Sequence, residues 1–224
     1  MEKLLTIVIP SRKNVKESQM LLENIEGTVG VPCNIMYIQN DGVGLTRVYH
    51  DAMEKVETDI VVFIHDDIEF LRNGWGAELI RMFSEHQDYG IIGIAGSAEF
   101  DNKAMWWNYE KKYGQVLHRN EGQSWLTSFS PLLKKDLEEV CVIDGLFMAV
   151  SKERISKDFD VELQGFNFYD IDFCLNNFLD KKTKIGVTTN IRVAHNSVGK
   201  LSENWFKNRE IINEKYGEYY PIHV

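Results

Sequence analysis

The feature that most limits what this chain can fold into is the alternation of short apolar runs with amphipathic stretches over its first hundred residues. LLTIVIP (4–10) is a strand-like run closed by Pro10; NIMYIQ (34–39), DIVVFI (59–64) and GIIGIAG (90–96) are three more. Between them, ESQMLLENIEG (17–27) reads as a helix ended by Gly27. LTRVYHDAMEKV (45–56) places Leu45, Val48, Ala52 and Val56 on one helical face, and WGAELIRMFSEH (75–86) does the same with Trp75, Leu79, Met82 and Phe83. Strand and helix in alternation predict an α/β fold with a mostly parallel sheet flanked by helices. The unbroken apolar run at 59–64 suits a central parallel strand, buried on both faces. Ligands of such sheets gather at the carboxyl ends of the strands. Here those ends are PSRKN, QNDGVG and HDDIE, all polar.

The second half has a different texture. Residues 97–140 read as an irregular, aromatic-rich stretch that includes MWWNYEKKYG and SWLTSFSP. CVIDGLFMAVS (141–151) reads as a strand, DIDFCLNNFLD (170–180) as an amphipathic helix, KIGVTTNIRVAH (184–195) as extended and ENWFKNREIINEKYG (203–217) as a closing helix. No repeat, low-complexity tract or flexible linker interrupts the chain. The expectation is a single domain over residues 1–224 with two functional halves, residues 1–100 and residues 101–224.

Composition narrows the partners. Lys and Arg total 25 against 34 Asp and Glu, a formal net charge of -9. That argues against a generic surface for nucleic acid or anionic lipid, but leaves room for a phosphate-bearing ligand bridged by a cation. Cys33, Cys141 and Cys174 form no C-x-x-C pair, and an odd, scattered set fits free thiols in a reducing cytoplasm. The opening MEKLLTIVIPSRKN has too short an apolar run for a signal peptide, and no later stretch approaches a membrane span. A cytoplasmic chain that could still dock on a membrane surface is expected.

Within VVFIHDDIEF (61–70), the apolar run stops at His65 and two carboxylates, Asp66 and Asp67, follow at once, with Glu69 close behind. Adjacent like charges repel, so solvent, a helix N-terminus, a basic side chain or a divalent cation must offset the cost. Hard cations such as Mg²⁺ take one or two carboxylates together with phosphate oxygens, and Mn²⁺ also accepts imidazole. A turn cap before the helix at 75 is the other reading of the same pair.

LLTIVIPSRKN, IQNDGVG, FIHDDIEF, GFNFYDIDFCLN and VAHNSVGK come in an order and spacing that resembles the family-2 type of GT-A glycosyltransferases, over nearly the whole chain. The ending HNSVGKLSENWFKNREIINEKYGEYYP is similar to a small bacterial branch of that group. Those enzymes have a D-x-D motif after the third strand, where this chain reads His65-Asp66-Asp67. The resemblance therefore carries a metal role to Asp67 and turns Asp66 toward the ribose or the sugar, while His65 is read as a hydrogen-bonded strand-end side chain. His195 is implied as a third metal ligand or a diphosphate contact. NDGVG stands in place of a DDGS-type turn; Asp41 keeps the acid that accepts a hydrogen bond from the base, and Asn40 and Val43 depart from the pattern. Pro10, Ser11 and Arg12 would lie along base and ribose, and Arg12 or Lys13 could meet phosphate. Arg47 would approach the diphosphate or else form a surface salt bridge. Ser197 and Lys200 could close over it.

Inverting transfer needs a carboxylate to take the acceptor hydroxyl's proton and a Lewis acid to neutralise the leaving diphosphate. Asp170 falls where the family's catalytic base falls, and a helix N-terminus is expected to lower its pKa. Asp172 follows as an acid that either supports Asp170 from behind or binds the acceptor, though Asp is also a common helix cap. Trp106, Trp107 and Trp125 would stack on acceptor sugars or fill a core or an oligomer interface. Asp144, at the start of a strand, would contact the sugars.

The expected activity is a metal-assisted, inverting transfer from a nucleoside-diphosphate sugar, UDP- or dTDP-linked, to a glycan or lipid-linked acceptor in bacterial polysaccharide or glycoconjugate synthesis, with Mn²⁺ or Mg²⁺ as cofactor. A homo-oligomer is compatible with the aromatic content. The rivals are a nucleotide-sugar-binding protein without turnover, and a sugar nucleotidyltransferase, whose usual glycine-rich loop PSRKN lacks.

Overall fold

The computed structural model describes residues 2–180, 183–199 and 201–224. The first half follows the alternation of the sequence: β1 (Leu5–Ser11), α1 (Gln19–Thr28), β2 (Cys33–Gln39), α2 (Leu45–Lys55), β3 (Ile60–Ile64), β4 (Ile68–Phe70), α3 (Trp75–Glu85) and β5 (Tyr89–Gly93). The helices form where the apolar spacing put them. α2 buries Leu45, Val48, Ala52 and Met53, and α3 buries Trp75, Leu79, Met82 and Phe83.

The second half departs from the expectation of an irregular stretch. β6 (Ala95–Ser97), β7 (Glu99–Phe100), a 3-10 turn at Trp106–Asn108, β8 (Lys112–Asn120), β9 (Gln123–Ser128) and β10 (Glu138–Val140) occupy it. β8 and β9 form a hairpin joined by Glu121 (φ 51°) and Gly122 (φ 77°), the two positive φ values a tight hairpin turn needs. β9 is exposed along most of its length, so it lacks the alternation that reveals a half-buried strand.

Three segments read as single strands are divided between sheets, the first of them the 90–96 run, which becomes β5 and β6. The 141–151 run becomes β11 (Val142–Ile143) and β12 (Phe147–Ser151), parted by Asp144 and Gly145. After α4 (Tyr169–Leu179), the 184–195 run becomes β13 (Lys184–Val187) and β14 (Val193–His195). α5 (Glu203–Tyr216) and β15 (Ile222–His223) end the chain.

The main sheet has the order β10-β13-β5-β12-β3-β1-β2. β12 runs antiparallel between β3 and β5, and β10 antiparallel at the edge; the other pairings are parallel. A second path, β11-β6-β8-β14-β4, leans on the first, with β9 paired to β8. One continuous core fills the body, with Phe63, Phe147 and Phe173 fully buried in it. Tyr49 of α2 packs on Phe63 of β3 at 4.5 Å between ring centroids, and Phe159 stacks on Phe173 of α4 at 4.2 Å. These contacts fix α2 and α4 beside the strand ends. The three cysteines are free thiols, two of them buried. No helix among the described residues is long and apolar enough to cross a membrane.

Candidate active site

Two cavities open beside the carboxyl ends of β1 and β3. The smaller, about 390 Å³, is lined by Pro10, Ser11, Arg12, Lys13, Asn40 and Asp66, among others. The larger, about 590 Å³, is lined by Trp106, Trp107, His118, Asp144, Asp170 and His195, among others. His65 and Phe166 border both, so the cavities meet there.

The sheet pairing that closes this meeting point joins distant parts of the chain. β14 runs antiparallel to β4, with His195 opposite Ile68, and Asn196 N donates to Asp67 O at 2.8 Å. His195 thereby reaches Asp67: Nε2 lies 3.3 Å from Oδ1. That Oδ1 atom is buried and has no well-aligned hydrogen bond. Burial pushes the Asp67 carboxyl up, but the imidazole of His195 and the Ser197 hydroxyl outweigh it and hold the group well below the usual carboxylate range. One ligand atom each from His65, Asp67 and His195 lie within 4.8 Å of one another. Two imidazoles and a carboxylate with an unsatisfied buried oxygen are a donor set that fits a divalent cation.

Asp66 lines the smaller cavity, as Asp67 does. It accepts a hydrogen bond from the buried Ser11 hydroxyl and lies 3.6 Å from Lys13 Nζ. Arg12 lies over the Phe166 ring at 5.0 Å. Asn40 is buried, and its side chain builds the turn: Oδ1 accepts from Gly42 N and Val43 N, and Nδ2 donates to Val43 O. An amide does this with donor and acceptor together, which an aspartate could not. Asp41 is exposed on the same turn, next to Asn40.

Asp170 is the second residue of α4, a helix that starts after Phe168 in a left-handed conformation (φ 67°). Its Oδ2 accepts from Gly145 N at 2.7 Å and its Oδ1 from Ile171 N at 2.9 Å. Its pKa corrects the expectation drawn from the helix terminus. Loss of solvent and the neighbouring Asp144 charge push the carboxyl up to about 7, against the pull of the backbone N–H groups.

A family model described as a glycosyltransferase-like family matches residues 5–216. The chain belongs to this family. No curated protein matches this glycosyltransferase-family chain by sequence. Solved structures share its fold. GalNAc-T7 with UDP, GalNAc and Mn²⁺ superposes with a TM-score of 0.58 at 12% identity, covering 97% of this chain and 49% of that one. The mannosyltransferase PcManGT from Pyrobaculum calidifontis, in complex with GDP-Man and Mn²⁺, gives 0.55 at 9% identity, covering 98% and 64%. S. aureus TarS 1-349 gives 0.54 at 10% identity, covering 96% and 65%. The chain thus spans between 49% and 65% of the length of these three proteins. The fold is GT-A, as the order of motifs implied.

Not every residue the resemblance singled out reaches a cavity of this glycosyltransferase fold. Asp172 is 1% exposed and faces α5, where Lys215 Nζ (2.8 Å) and the Tyr216 hydroxyl (2.7 Å) donate to it. It follows Asp170 by two positions, and residues so spaced point to different sides of a helix; its expected acceptor role is corrected to a buried structural pair. Arg47 lies on the exposed face of α2, 3.9 Å from Asp51, and lines neither cavity. This position matches the surface-pair reading of Arg47, and its diphosphate role is left to the test below. Trp125 is 39% exposed and stacks on His118, outside the lining. His65 has the expected hydrogen bond, between Nε2 and the Tyr169 hydroxyl at 2.8 Å. Ser197 Oγ lies 3.0 Å from His195 Nε2, and Lys200 lies outside the described residues.

Sequence reasoning missed His118 and Tyr169. His118 stands in parallel register with His195, its ring 5.8 Å away. Only the β8–β14 pairing brings it there, and no local pattern marks it. Tyr169, one residue before Asp170, holds His65 from across the fold.

Proposed function

We propose that this protein transfers a sugar from a nucleoside-diphosphate sugar, UDP- or dTDP-linked, to a hydroxyl of a glycan or lipid-linked acceptor, with inversion and with the help of Mn²⁺ or Mg²⁺. The observation that carries this reading is the junction of two cavities at His65, with Asp67 and His195 beside it and Asp170 in the larger space. A reaction that joins two substrates across one bond needs such a junction. Three solved GT-A proteins of this shape carry UDP with Mn²⁺, GDP-Man with Mn²⁺ and UDP-GlcNAc in their structures.

In this reading the base and ribose lie along Pro10, Ser11 and Arg12, with Asp66 fixed toward them by Ser11 and Lys13. Asp41 accepts from the base N3–H, which favours uracil or thymine over cytosine. Asp67 and His195 would hold the cation. When bound, it neutralises the diphosphate as it departs. On the acceptor side the Trp106 and Trp107 indoles offer flat apolar faces for sugar rings. The acceptor hydroxyl gives its proton to Asp170, whose oxygens are aimed by the Gly145 and Ile171 N–H groups. A carboxyl near pH 7 is a better proton acceptor than an ordinary aspartate and is still substantially ionised. Asp144 sustains this by its charge and faces the sugars. The product would be a bacterial surface polysaccharide or glycoconjugate, made in the cytoplasm, where the three free thiols stay reduced.

Thermal-shift screening with UDP, dTDP and GDP sugars, with and without Mn²⁺, tests the donor side, because at one concentration the tighter ligand of the native state raises the melting point more. A uridine or thymidine compound with metal is expected to give the largest rise. No rise with any of them sinks the proposal. Asp170→Asn separates transfer from mere binding: it should keep the UDP shift and lose sugar transfer, whereas unchanged transfer would remove Asp170 from the chemistry.

A further inference from the structure

We propose that His65 is itself a metal ligand, so that two imidazoles and one carboxylate, His65, His195 and Asp67, hold the ion, and that this set selects Mn²⁺ over Mg²⁺. The inference rests on the metal-assisted reading above and adds to it a third ligand and an ion preference. His65 occupies the first position of the His65-Asp66-Asp67 triplet, where the sequence pattern leads one to expect an acid. Its replacement by imidazole would weaken the site if the residue only filled space. Instead its ligand atom lies in the same 4.8 Å cluster as those of Asp67 and His195. The two imidazole rings are 5.8 Å apart and tilted by 56°, so they do not stack on one another.

Three pieces of chain fix the three groups. His65 follows the last residue of β3, and its N–H donates to Leu146 O at 3.2 Å. Asp67 is anchored by Asn196 N, and His195 ends β14. Each imidazole also has a hydroxyl in hydrogen-bond range, Tyr169 for His65 and Ser197 for His195. For His65 the Tyr169 contact is on Nε2, which leaves Nδ1 for an ion and orients the ring; Ser197 lies on the same His195 Nε2 that faces Asp67. The carboxylate completes the case: Asp67 Oδ1 is buried, faces His195 and lacks a well-aligned donor. A buried carboxylate oxygen left unsatisfied is costly, and a cation between the three groups would satisfy it.

The ion preference follows from the donor set. Mg²⁺ demands near-ideal octahedral oxygen coordination and gives up water reluctantly. Imidazole suits the first-row transition ions, and a nitrogen-rich site raises their affinity relative to Mg²⁺. With His65 in the set, oxygen from the protein comes from Asp67 alone.

The test uses the full chain, stripped of metal, and reads binding without any turnover. Paramagnetic resonance of Mn²⁺ counts bound ions, and its nitrogen modulation counts coordinated imidazoles, with Mn²⁺ alone and with Mn²⁺ plus UDP. Two coordinated nitrogens are expected in the native chain and one in His65→Asp. Displacement of Mn²⁺ by Mg²⁺ should need on the order of 10-fold more Mg²⁺ in the native chain than in the variant. A single coordinated nitrogen in the native chain overturns the proposal, as does equal selectivity in the two proteins. If His65→Asp does not fold, the native nitrogen count decides alone, and His65→Asn supplies the comparison. Loss of every nucleotide-sugar shift with the two-nitrogen signal intact would refute the transfer reading and leave this one standing.

Discussion

Replacing Asp170 by Asn should make the protein more stable above neutral pH and leave it nearly unchanged at pH 4. The reason is the cost of keeping a carboxylate where the fold puts it. In the unfolded chain the group titrates near 3.8; in the folded protein burial and Asp144 raise it to about 7. The native state therefore holds the proton more tightly than the unfolded state. Stability contributed by the protonated group is fully present below pH 3.8, declines as pH rises through the window up to about 7, and falls no further above it. A displacement of that size corresponds to about 4 kcal/mol at the plateau. Asp170 is partly exposed to the cavity, and solvent there reduces the figure to about 3 kcal/mol. Asn has one acceptor oxygen where Asp170 uses two, for Gly145 N and Ile171 N, so the substitution gives back about 1 kcal/mol. The net gain of about 2 kcal/mol raises the thermal midpoint by about 4–8 °C in a chain of this size. Melts of both proteins in EDTA at pH 4, 6 and 8 measure it. A difference that does not grow between pH 4 and pH 8 would refute the claim that Asp170 is ionised at a cost.

The same raised carboxyl should shape catalysis: kcat/KM for transfer is expected to rise tenfold per pH unit below about 7 and to level off above it, and a profile flat from pH 5 to 8 would remove Asp170 as the base. Lys215→Met should lower stability by about 2–3 kcal/mol, because Asp172 is left buried with only the Tyr216 hydroxyl and Asn176 beside it; adding Asp172→Asn should recover part of the loss in denaturant titration. Gly145→Ala would put a methyl group 2.1 Å from the Tyr169 hydroxyl, so it should cost about 1–3 kcal/mol by thermal melt and weaken Mn²⁺ binding through displaced His65. Arg47→Ala should alter transfer by less than about twofold, since its guanidinium faces solvent beside Asp51; a tenfold loss would place it at the diphosphate after all.

The sequence made the nucleotide half legible because its signals are local. Each of β1, β2, β3 and β5 is an apolar run of a few residues, and each helix between them keeps its own periodicity, so neither needs knowledge of the rest of the chain. Past β5 the deciding interactions are distant. The stretch from Gly90 to Gly96 reads as one run, yet β5 joins the main sheet and β6 the second path, because Ile94 lies between them as a bend that no residue type announces. β12 enters the main sheet antiparallel between β3 and β5, which neither its composition nor its length reveals.

The site divides along the same line. Asp66, Asp67 and Asp170 stand out because carboxylates are conspicuous beside apolar runs. What each faces is settled by tertiary contacts. Asp67 meets His195 only through the β4–β14 ladder, and His118 joins the row only through β8. The helix-terminus argument for a lowered Asp170 pKa failed for a related reason. The helix field is a short-range effect of one element, worth less than about 2 kcal/mol, whereas the desolvation that opposes it depends on how closely Gly145, Tyr169 and Asp144 surround the carboxyl. Asp170 and Asp172 then differ by a rotation of the helix. One is turned toward a space large enough for an acceptor, the other toward Lys215. The pair that looked like two acids for one reaction divides: Asp170 faces the larger cavity, where it is proposed as the base, and Asp172 ties α4 to α5 through Lys215.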